Sequence, residues 1–263
     1  MADRAAASPA RELGLFALPG FPLVGRGDDL AGLTAQGLDE AGLRLRPDDV
    51  LVFAQKVVSK AEGREVDLKS VTPGSRATEL AGIVQKDPRL VELVLRESRR
   101  VVRASKDVLI VEHRLGFVMA NAGIDQSNVR AEHSADYALL LPEDPDASAQ
   151  RLRQRLASLT GCAPGVLIND SFGRPWRLGT VGVAIGCAGL PAVLDLRGQA
   201  DLLGRPLRVT VVGHADEIAS AASLLMGQAA EARPVVLVRG LTANAAAQPA
   251  LALIRPSQED LFR

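Results

Sequence analysis

The sequence predicts an α+β fold, and three observations predict it. Short apolar runs of buried-strand type recur at Val50–Ala54, Val166–Ile168 and Pro234–Arg239. Among them lie segments with helical apolar spacing that open on acidic caps, as at Asp28-Asp29 and Pro142–Asp146. Strands and helices also follow one another without a regular βαβ beat, which favours a mixed arrangement over a doubly wound sheet.

Residues 1–12 are alanine-rich and read as a disordered leader without the apolar core of a secretory signal. A strand over Leu13–Leu18 then enters the turn Pro19-Gly20-Phe21-Pro22. Asp28-Asp29 before Leu30, Leu33 and Leu38 predicts a capped helix start with an apolar stripe. The Val50–Ala54 strand runs directly into Gln55–Gly63. From Ser75 to Arg103 the pattern is helical, with Leu80, Ile83, Val84, Leu90, Val94 and Leu95 on one side and a break at Pro88. Val108–Val111 and Gly116–Ala120 predict a strand pair around Glu112–Leu115, and Ala147–Thr160 a helix with an arginine-rich face. Val166–Ile168 and the glycine- and valine-rich Gly179–Gly189 are strand-like. Arg208–Val212 predicts a strand, Asp216–Leu225 a helix and Pro234–Arg239 a closing strand.

Composition narrows the function. The 263 residues are 47% hydrophobic, enough to bury a sizeable core in one large domain or two smaller ones. Lysine plus arginine equals aspartate plus glutamate at 31 each, so no basic field recruits nucleic acid or an acidic membrane surface. Aromatics at 3% supply no stacking platform for single strands. Cys162 and Cys187, with no CxxC, read as core thiols of a reducing compartment. No apolar stretch reaches the roughly 18 residues of a membrane span. The expectation is a soluble cytoplasmic protein.

Two segments carry the chemistry. Ala120-Asn121-Ala122-Gly123-Ile124-Asp125-Gln126-Ser127-Asn128 and Val166-Leu167-Ile168-Asn169-Asp170-Ser171-Phe172-Gly173-Arg174 each place an acid beside small hydrogen-bonding residues just after an apolar run. Mg²⁺ and Mn²⁺ are held by one or two carboxylates plus substrate phosphates and water. Asp125 and Asp170 meet that need, and Ser171 adds a hydroxyl as the Ser/Thr of a phosphate loop does. Taken singly, each segment reads as a polar turn. No GxxxxGK[ST] loop and no GxGxxG after a strand is present, so a nucleotide would be held by another device. Gly227, between a helix and a strand, permits close approach to a ligand or ends the helix as a cap. Lys56 and Lys60, four apart, form a solvated face or meet a phosphate as point charges. Arg174 and Arg177 around Trp176 suit carboxylate or phosphate recognition, or a surface loop. His113, His133 and His214 lie in three different contexts and read as structural or exposed, not as a metal triad. Asp216-Glu217 reads as helix capping and dipole compensation. Ser98, Ser127 and Ser171 have no neighbouring base, and no nucleophile elbow is present.

Together with Gly20-Phe21-Pro22-Leu23, Val57–Gly63, Gly182–Gly186, Asp201–Arg205, Ala215–Ala219 and Leu224–Gly227, these two segments form eight collinear blocks. In them the chain resembles the coenzyme F420-0:L-glutamate ligase family, the gamma-glutamyl ligases of deazaflavin coenzyme biosynthesis. The resemblance implies a GTP-dependent ligase requiring Mn²⁺ or Mg²⁺, with K⁺ as a further ion. It would add L-glutamate to F420-0 and then to F420-1 through an acyl phosphate, releasing GDP and phosphate. By motif position, Asp125 and Asp170 are the ligands of one metal, and Ser171 and Gln228 those of a second. GTP contacts fall to Phe21, Pro22, Leu23, Val24, Gln55, Lys60, Asn128 and the run Met226, Gly227, Gln228, Ala229, Ala230, Glu231, Ala232 and Arg233. The resemblance also implies a two-part α+β chain over residues 13–263 in an intertwined homodimer. The chain ends at Arg263, so no C-terminal nitroreductase-like domain is expected.

Two positions depart from the family pattern. Ser171 replaces a threonine and keeps its hydroxyl, while Gln228 stands where an acid can occur and brings an amide oxygen without charge. The metal and nucleotide motifs leave open a related amide ligase acting on another carboxylate. They also leave open a non-catalytic nucleotide-binding protein, against which the two retained acids speak.

Overall fold

A computed structural model describes residues 11–127, 136–242 and 245–260 of the chain. The predicted leader lies outside these residues except for Arg11 and Glu12, which are exposed, and Asn128 and His133 also lie outside them. The architecture is α+β, as predicted. A five-stranded sheet is built from β1 (Gly14–Ala17), β2 (Val50–Ala54), β8 (Gly165–Arg174), β9 (Arg177–Ala188) and β12 (Val235–Arg239), in the order β1-β12-β2-β8-β9. All pairings are antiparallel except β2 with β8, which run parallel with Ala54 opposite Asn169.

The three continuous apolar runs are the central strands because both faces of this sheet are covered. Leu51, Phe53, Val166, Ile168, Val235 and Leu237 pack with α1 (Leu30–Glu40), α2 (Gln55–Ala61) and α5 (Pro145–Thr160) on one side. Val50, Val52, Leu167, Val236 and Val238 pack with α6 (His214–Met226) on the other. A strand buried on both faces loses the polar alternation of a half-exposed one. The caps behave as read: Asp29 accepts from the Gly32 amide and Asp144 from the Ala147 amide. Among the described residues no helix is long and apolar enough to cross a membrane.

The middle of the chain builds a third core. Here α3 (Ser75–Val84) and α4 (Pro88–Arg96) pack on β4 (Ser98–Ser105), β5 (Val108–His113) and β6 (Val118–Ala120), around Leu80, Val84, Val91, Val94, Leu109 and Val111. Pro88 sits at the first turn of α4 behind the Asp87 cap, so the predicted break is real. The predicted continuation of the helix to Arg103 is wrong. Residues from Ser98 onward form a strand whose less exposed positions are Ser98, Val101 and Ala104. Register shifts between Ser98 and Arg100 and between Val101 and Arg103 insert an extra residue each time. Two bulges turn a period of two into a spacing of three, which imitates a helix. The predicted strand Arg208–Val212 shrinks to β11 (Val211–Val212), paired with β10 (Leu194–Asp195). The pair β3 (Glu65–Asp67) and β7 (Tyr137–Leu139) is too short for periodicity to reveal.

Glu97, at the end of α4, ties this middle segment together. Its carboxylate lies 3.3 Å from the Arg64 guanidinium, 3.1 Å from Arg114 and 3.6 Å from His113 Nε2. Burial alone would raise the carboxyl, but the neighbouring His113 ring, 3.6 Å away, and the charges of Arg114 and Arg64 hold it at about 2. A carboxyl depressed from 4.5 stabilises the fold fully above that value, and the stabilisation fades as pH falls towards 2. Glu97→Gln should therefore cost about 2–3 kcal/mol at pH 7, with the difference closing towards pH 2. Urea unfolding at the two pH values checks this, and a pH-independent difference would assign the loss to packing.

Candidate active site

The parallel strands β2 and β8 end side by side, and a cavity of about 400 Å³ opens beyond their C-terminal ends. Crevices outside the carboxyl ends of parallel strands are where mixed sheets bind ligands. Four separated stretches line it: Phe21–Val24 after β1, Ala54–Val57 with Lys60 across the β2–α2 junction, Asn169–Ser171 on β8, and Met226–Pro234 after α6. The structure thus brings together Phe21, Pro22, Leu23, Val24, Gln55, Lys60, Asp170, Ser171 and the whole run Met226–Arg233.

Each wall has a local cause. Leu18, just past the first strand, is fully buried, and the chain turns at Gly20 (φ 64°) to carry Phe21 inward while Leu23 stands 93% exposed at the lip. Gln55 is buried at the start of α2 and its side-chain oxygen accepts from Ser59 Oγ at 2.9 Å. Gly227 is the C-cap of α6, as the plainer reading had it, and it also lines the cavity. Its φ of 72° with ψ −176° is open to glycine alone, and a Cβ there would lie 2.1 Å from the Glu231 carboxyl carbon. Beyond it Glu231 accepts from the Ala229 amide at 2.8 Å, so the loop closes on itself. Gln228 is exposed, yet its amide oxygen accepts from Ser171 Oγ at 2.8 Å, tying this loop to β8.

Asp125 reaches the same place from the middle segment without lining the cavity itself. Asn121, Ala122 and Gly123 precede it at φ 52°, 54° and 67°, an expensive run of left-handed backbone at a position of functional interest. Asp125 is then pinned by main-chain bonds to and from Leu139, at 3.0 and 2.8 Å. Its carboxylate accepts from the Ser127 amide at 2.7 Å and pairs with Lys56 Nζ at 2.5 Å. Lys56 also donates to Ser127 Oγ at 2.9 Å.

The two acids are placed differently. Burial works to raise Asp125, but Lys56 and the Ser127 amide outweigh it and hold the carboxyl below its usual range. Asp170, although part of its surface faces the cavity, is pushed up to about 7 by burial, with the Asp125 charge adding and the Ser171 amide and Lys56 opposing. A neighbouring pair of carboxylates with one shared cation divides in this way. Burial lowers Lys60 at the cavity wall, Glu65 raises it and Lys56 lowers it further.

Among the described residues no group of three or more His, Cys, Asp or Glu side chains gathers at one point. The donors on offer for a metal are therefore the oxygens of Asp125, Asp170, Ser171 and Gln228. An all-oxygen set with two carboxylates suits Mg²⁺ or Mn²⁺ rather than zinc. The Lys56 ammonium already compensates the charge of Asp125.

Other candidates find plainer roles. Arg174 and Arg177 pair across the tip of the β8–β9 hairpin, with Trp176 84% exposed between them, and neither lines the cavity. His113 is fully buried and accepts from the Leu115 amide, and His214 opens α6. Asp216 does not cap α6, whose N-cap is Gly213; its carboxylate accepts from the Ala184 amide of β9. Asn169 was missing from the predicted contacts, and Lys56 entered only as a solvated or phosphate-facing charge, outside the contact set that the resemblance implies. Their signal is adjacency, since each stands next to a predicted site residue at the end of a parallel strand.

An α+β scaffold with an acid-flanked cleft at the ends of two parallel strands has a recognisable relative group. Residues 20–240 match the family described as F420-0:Gamma-glutamyl ligase, and the chain belongs to that family. It is 44% identical to the coenzyme F420:L-glutamate ligase of Methanothermobacter thermautotrophicus over 95% of this chain and 99% of the relative. It is also 47% identical to that of Methanopyrus kandleri over 90% and 92%, and 44% identical to that of Archaeoglobus fulgidus over 95% and 96%.

Proposed function

We infer that the protein is a GTP-dependent ligase that adds L-glutamate to coenzyme F420-0, and then to F420-1, in the cytoplasm and as a homodimer. The observation that carries this is convergence: residues drawn by motif from four separated stretches line one cavity, with Asp125 beside it through Lys56. Family membership and the relatives' activity point the same way.

In this reading Asp125 and Asp170 hold one Mn²⁺ or Mg²⁺, Ser171 and Gln228 a second, and K⁺ serves as a further ion. Bound there, these ions supply positive charge against the phosphate oxygens, the main requirement of phosphoryl transfer. The chain does the positioning. Phe21–Val24 and Met226–Arg233 enclose the nucleotide, Gln55 and Lys60 contact it from α2, and Asn128, outside the described residues, is assigned to it by motif alone. A carboxylate oxygen of the acceptor attacks the γ-phosphorus, the bond to the bridging oxygen breaks, and GDP leaves. The glutamate amine then attacks the acyl phosphate carbon. Phosphate departs with the C–O electron pair and the amine gives up a proton.

Mass spectrometry of mixtures holding F420-0, glutamate, Mn²⁺ and either GTP or ATP tests the reading. A product heavier by one glutamyl residue, formed with GTP in preference to ATP and matched by GDP, is the expected result. No such product with either nucleotide would refute it, and equal use of both would refute the GTP preference alone. The dimer is supported by exposed apolar side chains: Trp176 and Leu178, at the β8–β9 hairpin, are 84% and 99% exposed, and Leu202 and Leu203 lie wholly or largely in solvent. Light scattering across a dilution series should return twice the chain mass.

Gln228→Glu should lower the half-saturating Mn²⁺ concentration, because a carboxylate adds charge where an amide offers only its oxygen. The bond from Ser171 Oγ motivates this. An unchanged Mn²⁺ dependence would take Gln228 out of the metal site.

A further inference from the structure

We propose that Lys56 is a displaceable internal counter-ion: its ammonium holds the place of a divalent cation on Asp125 and moves to the nucleotide phosphates when that cation binds. The idea rests on the metal reading of Asp125 given above and adds a role for a residue that reading leaves idle.

The geometry carries it. Lys56 Nζ lies 2.5 Å from Asp125 Oδ2 and 2.9 Å from Ser127 Oγ, so two oxygens already grip a positive charge at the carboxylate a metal would use. Lys56 lines the cavity, as do Asp170 and Ser171, and its charge acts on Asp170. Side-chain exposures of 32% for Lys56 and 31% for Asp125 leave the pair open enough to exchange. A lysine suits such a role: it is a compact charge on a flexible four-carbon stem, whereas an arginine fork would hold the carboxylate bidentately.

Electrostatics dictates the movement. A divalent ion on Asp125 and an ammonium at its present distance would repel strongly in a partly dry site, so the two cannot share the carboxylate. The ammonium must leave, and Lys60 one turn along the same helix discourages a retreat in that direction. With Asp170 also engaged by the metal in this reading, the phosphate oxygens of a nucleotide bound in the cavity that Lys56 lines would receive it. Before loading, Lys56 spares Asp125 from standing as an uncompensated, half-buried carboxylate. After loading, the same charge is available to the phosphates.

Opposite signs test the proposal. Mn²⁺ binding is measured by electron paramagnetic resonance without nucleotide, and GDP binding is then measured with Mn²⁺ present. Lys56→Met should bind Mn²⁺ alone more tightly, by roughly three- to tenfold, since no ammonium need be expelled. The same variant should bind GDP with Mn²⁺ more weakly. Lys56→Gln, which keeps a hydrogen bond to Asp125 but no charge, should show both signs. It guards against a folding defect in the methionine variant, as does the melting temperature of each. Lys56→Arg should bind Mn²⁺ alone no better than the wild type. Unchanged or weaker Mn²⁺ binding in both neutral variants would overturn the proposal, as would unchanged GDP affinity. Absence of Mn²⁺ binding by wild type and variants alike would instead bring down the metal reading of Asp125 and this proposal with it.

Discussion

Asp125→Ala and Asp170→Ala should each lower ligation by roughly a thousandfold or more, the scale on which phosphoryl transfer depends on neutralised charge. The two should differ in what they do to the protein. Asp170 is a carboxyl that burial pushes up to about 7, so its removal relieves a desolvated acid and should leave stability unchanged or improved. Asp125 is main-chain anchored to Leu139 and paired with Lys56, so truncation leaves that ammonium without its carboxylate. About 1 kcal/mol of destabilisation is expected, discounted because the pair is one-third exposed. Turnover against Mn²⁺ concentration, with thermal unfolding of each variant, separates lost chemistry from lost fold. Normal turnover by either variant at ordinary Mn²⁺ would remove the metal assignment.

Gly182→Ala should be a strongly damaging change of a single methyl group in the sheet. Gly182 lies on β9 opposite Ser171, where α6 crosses the strand closely enough for Ser220 Oγ to donate to the Gly182 carbonyl at 2.7 Å. An added Cβ would lie 2.3 Å from Ser223 Oγ, 2.5 Å from the Ala219 carbonyl oxygen and 2.7 Å from Asn169 Oδ1. A backbone carbonyl inside a helix cannot step aside alone, so α6 must shift. Overpacking of this kind costs about 1–3 kcal/mol, or a melting temperature lower by roughly 2–6 °C in a chain of this size. The shift should also raise the KM for nucleotide, because α6 delivers Met226, Gly227 and Gln228 to the cavity wall. Gly173→Ala, on the same hairpin with nothing within 4 Å of its Cβ, is the control and should melt near the wild-type temperature. Equal losses in both variants would assign the effect to strand propensity instead of helix–sheet contact.

Much of this architecture was legible in the chain because it is encoded locally. Val50–Ala54 was read with its observed bounds, since a strand covered on both faces must be apolar throughout. Asp29 and Asp144 announced their helices because a cap is a bond between near neighbours. The strand over Ser98–Ser105 was misread because two bulges gave it a helical spacing, a fact about its pairing with β5 and not about its own composition.

The candidate site divides along the same line. By itself the sequence determined the residue types: two acids in small-residue turns, a serine after one of them, and the loop around Gly227, all tied to one family by collinear blocks. Only the tertiary structure decided which of them meet. Lys56 and Asp125 are 69 positions apart, and Ser171 and Gln228 are joined by a bond spanning 57. No periodicity or propensity acts over such distances; packing of the sheet against its helices and against the middle segment brings these groups together. That Asp125 has an ammonium on it and Asp170 has none is likewise a property of three-dimensional placement, because solvation and charge neighbours are set by what folds against a side chain and not by what precedes it.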